Sequence, residues 1–294
     1  MVYLIGSIVF TSYLTLSFKM LERFGISNLQ AIVFNYITCV ITGSIVAGDF
    51  PIGPAVFNQQ WFAWSCIMGF TFVTLFNLVA YTTQKMGVAV ASVANKLSLV
   101  IPFLFSLYLY NEQSTLLKVT GIIIAILAVL FTCWPHSHHK TSASKNISTA
   151  MLVLLPSVLF LGSGLLDTMI KYVEQMYLDA SNNNAYLITT FAVAAFTGTI
   201  ILSARLITGR EKFDNRSIIA GICIGVPNYF SIWCFLQVLK QYAGNSSAII
   251  PINNMGIVLF SAVVAYILFK ERLSAINWIG IFLSISAIAL IAYG

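Results

Sequence analysis

The sequence predicts an all-α integral membrane protein, with ten transmembrane helices arranged as two inverted five-helix repeats. Three observations carry that expectation. Of the 294 residues, 59% are hydrophobic and only 8% charged, against about 25% charged in soluble domains. The mean hydropathy is +0.90. Apolar runs of membrane-spanning length recur along the chain, and short motifs of the first half return in the second.

A spanning helix needs about 20 mostly apolar residues. Breaking the chain at its polar and turn-rich clusters leaves spans near 2–18, 28–48, 61–84, 88–110, 115–134, 149–171, 184–204, 216–239, 246–268 and 273–293. The first, VYLIGSIVFTSYLTLSF, is apolar at once. It lacks a basic n-region and a small-residue cleavage site, so it reads as a membrane helix rather than a cleaved signal. Connections such as QKMG at 84–87 and YAGN at 242–245 are too short for anything but antiparallel neighbours. The longest polar connection, PHSHHKTSASKNIS at 135–148, falls near the middle. Residues 1–134 are therefore expected to form one five-helix repeat and residues 149–294 the other.

The repeat is visible in the residues. NEQSTLLKVTGI, 111–122, aligns without a gap with KERLSAINWIGI, 270–281. Glu112 falls on Glu271, Gly121 on Gly280 and Ile122 on Ile281; the same register puts Asn95 on Asn254 and Leu109 on Leu268. Near the start of each half, FKMLERF (18–24) matches IKYVEQM (170–176), each with Lys and then Glu three residues on. Five helices is an odd number, so the second repeat must be inverted in the membrane. Secondary transporters are commonly built this way, with the substrate site near the midplane.

Ten spans, a five-plus-five repeat, and a Glu after the fourth and ninth spans followed by a Gly opening the next helix together resemble the EamA-like branch of the drug/metabolite transporter superfamily. The resemblance covers essentially the whole chain. It implies two inverted five-helix bundles, a central cavity and alternating access, and it leans toward export. The first span has no acidic residue. It thus lacks the embedded glutamate with which the small four-helix multidrug members exchange protons for cations.

Charge sets the expected orientation, because short loops rich in Lys and Arg face the cytoplasm. Loops after odd-numbered spans hold Lys19, Arg23, Lys85, Lys140, Lys145, Arg205, Arg210, Lys212, Arg216, Lys270 and Arg272. Those on the terminus side hold Lys118, Lys171 and Lys240. The basic loops, 135–148 among them, are therefore expected in the cytoplasm and both termini outside. The formal net charge of +6 comes from these loops. No basic patch interleaved with aromatics marks a nucleic-acid surface.

The remaining basic residue is Lys96, in SVANKLSLVIP. In a continuous fourth span it lies about 12 Å from the basic side at 1.5 Å per residue. A cation there needs a partner or a wet cavity. Asp167, about 27 Å along span six on the same scale, is expected to pair with Lys171 or to act as a gating or proton-coupling acid, at a different depth from Lys96. Asn35 and Tyr36 of span two and Asn77 of span three reach the level of Lys96, and Asn95 adjoins it. Asn228, Tyr229, Asn253 and Asn254 lie nearer the midplane. Buried amides and hydroxyls require partners. With Lys96 they outline a net-positive polar cavity suited to a carboxylate or phosphate, since Lys acts as a point charge for such groups. Tyr81, Tyr229 and Trp233 are placed to cover an apolar or sugar-like part of a substrate. Pro102, Pro227 and Pro251 each interrupt a span near these residues.

The other signals read as structural. HSHH at 136–139 has no acidic or Cys partner and reads as solvated loop, so no metal is expected. The five cysteines, Cys39, Cys66, Cys133, Cys223 and Cys234, are scattered singly, four within apolar runs. Glu112 and Glu271 read as surface anchors. No nucleophile elbow, P-loop or HExxH occurs, and the spans hold no His, so neither an enzyme nor a cofactor is expected. The reading is a secondary active transporter, an exporter, of a small polar metabolite such as an amino acid or organic anion. It would sit in a bacterial inner membrane, with a coupling proton among its partners and as a monomer or a dimer. Uptake or exchange of a phosphorylated or sugar-linked metabolite is the alternative within transport. A non-transporting scaffold or a membrane enzyme is the alternative of another class.

Overall fold

The structure is a computed structural model that describes residues 2–102, 104–105, 115–132, 149–179, 182–241, 246–270 and 273–293. The 135–148 loop with its HSHH run, Cys133, Glu112, Glu271 and Arg272 lie outside the described residues, as do the side chains of Lys118, Lys171, Lys240 and Pro251. Among the described residues the long elements are all α-helices: α1 (Val2–Phe24), α2 (Asn28–Ala47), α3 (Phe62–Met86), α4 (Val88–Leu97), α5 (Leu116–Thr132), α6 (Thr149–Tyr177), α7 (Asn183–Ile207), α8 (Arg216–Gln241), α9 (Ser246–Phe269) and α10 (Ala275–Tyr293). Seven of them, α1, α2, α3, α6, α7, α8 and α9, are long and apolar enough to cross a membrane, while α4, α5 and α10 are shorter apolar helices.

The boundaries follow local chemistry. Ser27 caps α2, its hydroxyl accepting from the Gln30 N–H, and Gly48 ends it at φ 73°. Such a left-handed residue closes a helix with little strain only when it lacks a Cβ. The fourth span departs from expectation. Instead of running unbroken to residue 110, α4 stops at Leu97, with Ser98 and Leu99 in a turn. Pro102 explains the position: it has no N–H for the Ser98 carbonyl four residues back, and its ring crowds that carbonyl. The Ile101 N–H takes the Ser98 carbonyl instead, at 2.9 Å. Ser98 Oγ turns back onto the Asn95 carbonyl at 2.5 Å.

Two compact units emerge. One comprises residues 1–19, 78–165 and 230–294, the other residues 20–77 and 166–229. In the second, α2 and α7 run antiparallel. Gly198 lies against Val33 near one end, and Gly43 against Ile188 near the other. α8 packs onto α2 just as tightly. A Cβ at Gly221 would overlap Phe34 and come 3.0 Å from the Asn35 N, and one at Gly225 would lie 2.7 Å from the Asn35 carbonyl. Small residues at such contacts let backbones approach where lipid supplies no hydrophobic drive.

One buried side chain locks an end of this unit. Gln30 is fully buried. Its Nε2 donates to Glu211 Oε1 at 3.0 Å and to the Lys212 carbonyl at 2.8 Å, and its Oε1 accepts from the Asp214 N–H at 3.0 Å. Ser27 Oγ bonds the same Glu211 carboxylate. Arg216 forks onto Asp214 at 3.1 and 3.0 Å and holds that carboxyl below its usual range.

In the first unit the contacts pair α4 with α9 and α5 with α10. Val88, opening α4, clusters with Leu16 of α1 and with Ala265, late in α9. Ala89, Val93 and Leu97 share a core with Val258, Ala262 and the α5/α10 residues Ala125, Ala128, Ile281 and Ile288. Asn277 ties α10 to α5. Its Oδ1 accepts from the Ser274 N–H at 3.0 Å while Ser274 Oγ accepts from the Asn277 N–H at 3.1 Å, a reciprocal cap. Its Nδ2 donates to the Phe131 and Thr132 carbonyls at 3.3 and 2.9 Å, satisfying the last carbonyls of α5.

The close approach of α8 to α2 is testable. Gly221→Ala should cost about 1–3 kcal/mol, the range for overpacking, and lower the melting temperature in detergent. Gly53→Ala, where a Cβ meets nothing within 4 Å, should leave it unchanged. Equal melting temperatures would contradict the packing described.

Candidate functional site

The sequence-predicted polar residues fall into two sets, one per unit. In the second unit, Asn35 and Asn228 meet directly. Asn228 Nδ2 donates to Asn35 Oδ1 at 3.1 Å, and both side chains are buried. The contact exists because Gly221 and Gly225 draw α8 onto α2. Cys39, one turn beyond Asn35, donates its thiol to the Gly225 carbonyl at 3.4 Å and approaches Asn35 Oδ1 at 3.9 Å. Asn35 is 0% exposed, and its Nδ2 has no partner. That is a costly state for a buried amide donor.

Tyr36, next along α2, sits in an aromatic box. Phe72 stacks near-parallel at 6.3 Å between ring centroids, Phe76 lies at 5.5 Å and Phe191 at 6.0 Å. The ring is 1% exposed, and its hydroxyl has no partner. Tyr229 is buried against Gly43, where a Cβ would come within 2.9 Å of the ring. Asn77 spends its amide on its own helix, donating to the Val73 carbonyl at 2.8 Å. Asp167 is exposed.

In the first unit, the break after Leu97 places Lys96 in the last turn of a ten-residue helix. The partial negative charge of a helix C-terminus favours a cation there. Lys96 and Asn95 are half-buried. Ser92 precedes Lys96 by four residues and so shares its face of α4; it is buried, and its hydroxyl has no partner. The facing helices carry the same kind of group: Asn253 Oδ1 and Ser261 Oγ on α9 and Ser7 Oγ on α1 are buried without partners. Ser12 Oγ of α1 reaches the Ile257 carbonyl at 3.4 Å, tying α1 to that stretch of α9. Asn254 is half-buried. Trp233 packs edge-on to Tyr3 at 5.6 Å and to Phe230 at 6.2 Å. Tyr81 is 39% exposed, with the Lys85 ammonium 5.8 Å above its ring, the posture of an interfacial tyrosine.

Sequence reasoning missed the serines. A serine in an apolar helix ordinarily turns onto the carbonyl four residues back, as Ser44 and Ser157 do. The available clue was the four-residue spacing of Ser92 from Lys96.

Long apolar helices with polar groups buried between them define a multi-pass integral membrane protein. Its family is given by comparison. Residues 148–293 match the model of the EamA-like transporter family, within the drug/metabolite transporter superfamily. A Haemophilus influenzae chain described as an uncharacterized protein is 24% identical over 294 residues, covering 99% of this chain and 97% of its own length.

The Asn35–Asn228 bond has a measurable consequence. Asn228→Ala strips Asn35 of its amide partner and should cost about 1–3 kcal/mol, the penalty for orphaning a buried polar group. Replacing both by Leu should recover most of the lost melting temperature. A single variant as stable as the parent would show that the bond contributes nothing.

Proposed function

We propose that the protein is a secondary active transporter, an exporter, of a small polar metabolite such as an amino acid or organic anion, working by alternating access. Its substrate contacts are Lys96, Asn95, Asn253, Asn254, Tyr81 and Trp233 together with Asn35, Tyr36, Asn77, Asn228 and Tyr229, and Asp167 serves gating or proton coupling. The observation that carries this reading is the interrupted helix α4. Broken helices inside a bundle are a recurring feature of transporter binding sites, where the freed helix ends face the substrate or ion. Here the break sets a lysine at the helix end, on a face shared with a serine whose buried hydroxyl is unpartnered.

The inverted repeat of 1–134 and 149–294 belongs to the same proposal. It is supported by pairing of like-numbered helices: the second of each half (α2 with α7), the fourth (α4 with α9) and the fifth (α5 with α10) pack on each other. The α2–α7 pair is antiparallel, as an inversion requires. The basic loops face the cytoplasm of a bacterial inner membrane in this reading. A membrane enzyme finds no support in the family match.

Lys96 decides the matter. A screen of metabolites for thermal stabilisation of the purified protein identifies the substrate, since a ligand of the native state raises apparent stability. Lys96→Met keeps the length of the side chain and leaves the Ser98 turn and Pro102 in place. It should hold the melting temperature and reduce uptake into vesicles to background. Lys96→Arg should retain part of the activity, because a planar fork does not reproduce a point charge. Wild-type transport by a stable Lys96→Met protein would overturn the assignment.

A further inference from the structure

A second group of buried, unpartnered polar atoms lies in the unit of residues 20–77 and 166–229, apart from the residues above. It gathers at the start of α3. Trp61 already belongs to the first helical turn, since its carbonyl accepts from the Ser65 N–H at 3.0 Å. Trp61 is 2% exposed and Ser65 0%, and neither the indole Nε1 nor the Ser65 hydroxyl has a partner. One turn apart, the two share a face of α3.

Helix α7 supplies the third member. It runs parallel to α3. The Trp61 ring meets Tyr186 edge-on at 5.7 Å, Gly69 lies against Val193, and Val73 lies near Gly198. With Gly69 opposite Val193, the residues four earlier on each helix, Ser65 and Thr189, stand at the same level. Thr189 is 2% exposed, and its hydroxyl is unpartnered. Tyr186 closes one side, its hydroxyl donating to Met68 Sδ at 2.5 Å. Val56, Met68 and Val173 complete an apolar wall.

Every member of the group can donate. The indole N–H only donates, and each hydroxyl can donate as well as accept. The N-terminus of a 25-residue helix adds a positive partial charge, and the first turn of α3 holds no acidic residue. None of the three atoms bonds a carboxylate; Asp179 is engaged at the start of α7, where the Asn182 N–H donates to it at 3.0 Å. A water molecule placed here could donate to the two hydroxyl oxygens; an anion accepts from all three groups and in addition meets the positive end of the helix. The donors are enclosed, so the occupant is small. We propose that Trp61, Ser65 and Thr189 form a binding site for a monovalent anion of chloride's size, independent of the substrate contacts proposed above.

The test uses the full-length protein in detergent. Its melting temperature is titrated with sodium chloride against sodium gluconate at constant ionic strength, and again with bromide. Chloride and bromide should raise it in a saturable way. Trp61→Phe, Ser65→Ala and Thr189→Val should each move the half-saturating concentration up about tenfold, the order expected for one hydrogen bond to a charged group. Ser65→Ala is the smallest change and serves if Trp61→Phe folds poorly. Crystals soaked in bromide should show its anomalous signal beside Trp61 Nε1. An indifferent melting temperature, a titration identical in parent and variants, or a bromide-free site holding only water would each overturn the proposal.

Discussion

A bilayer has no water with which to finish a hydrogen bond, and every polar atom in a span must answer to that. Backbone groups answer by forming helices, which is why the described residues fold as they do. Side chains answer in two ways here. Most close on a neighbour: Thr38 on the Phe34 carbonyl, Thr190 on Tyr186, Asn77 on Val73. A smaller set, including Asn35 Nδ2, Tyr36 Oη, Ser92 Oγ and Asn253 Oδ1, is buried and left open. Open groups weaken a fold, so they need a reason outside it. Recognition of a polar ligand supplies one.

The paired groups show what the alternative looks like. Asn277 caps its own helix and finishes α5 in one stroke, and Gln30 uses both ends of its amide to fasten the α7–α8 connection to α2. Around them, glycines at helix contacts replace side-chain interdigitation by backbone approach, and that approach is what brings Asn228 to Asn35. The fold therefore holds its rigid joints by fully bonded polar residues and tight small-residue seams.

Much of this was legible in the chain. Apolar runs place the helices within a few residues, because a span must be long and a loop must be polar. Asn35 and Asn228 stand out in sequence as amides in apolar runs, and they meet. Other features depend on three-dimensional register and were not legible. Pro102 announces an interruption, but the chain stops being helical four residues earlier, where the lost partner is the Ser98 carbonyl. The Lys85 ammonium over the Tyr81 ring depends on the turn that places the two residues on one face of α3. The unpartnered serines and Trp61 look like any small or aromatic residue until the facing helix fails to offer a bond.

The claim that open polar groups serve a ligand rather than the fold is tested most directly at Tyr36. Tyr36→Phe keeps the ring within Phe72, Phe76 and Phe191 and deletes only the unpartnered hydroxyl. Melting temperature in detergent and transport of the stabilising metabolite, measured on the same preparation, separate the two roles. Unchanged or raised stability with transport reduced at least tenfold, about the worth of one hydrogen bond, is the expected result. A fall in stability with transport intact would show that the hydroxyl belongs to the fold, and would contradict the assignment of these groups to a ligand.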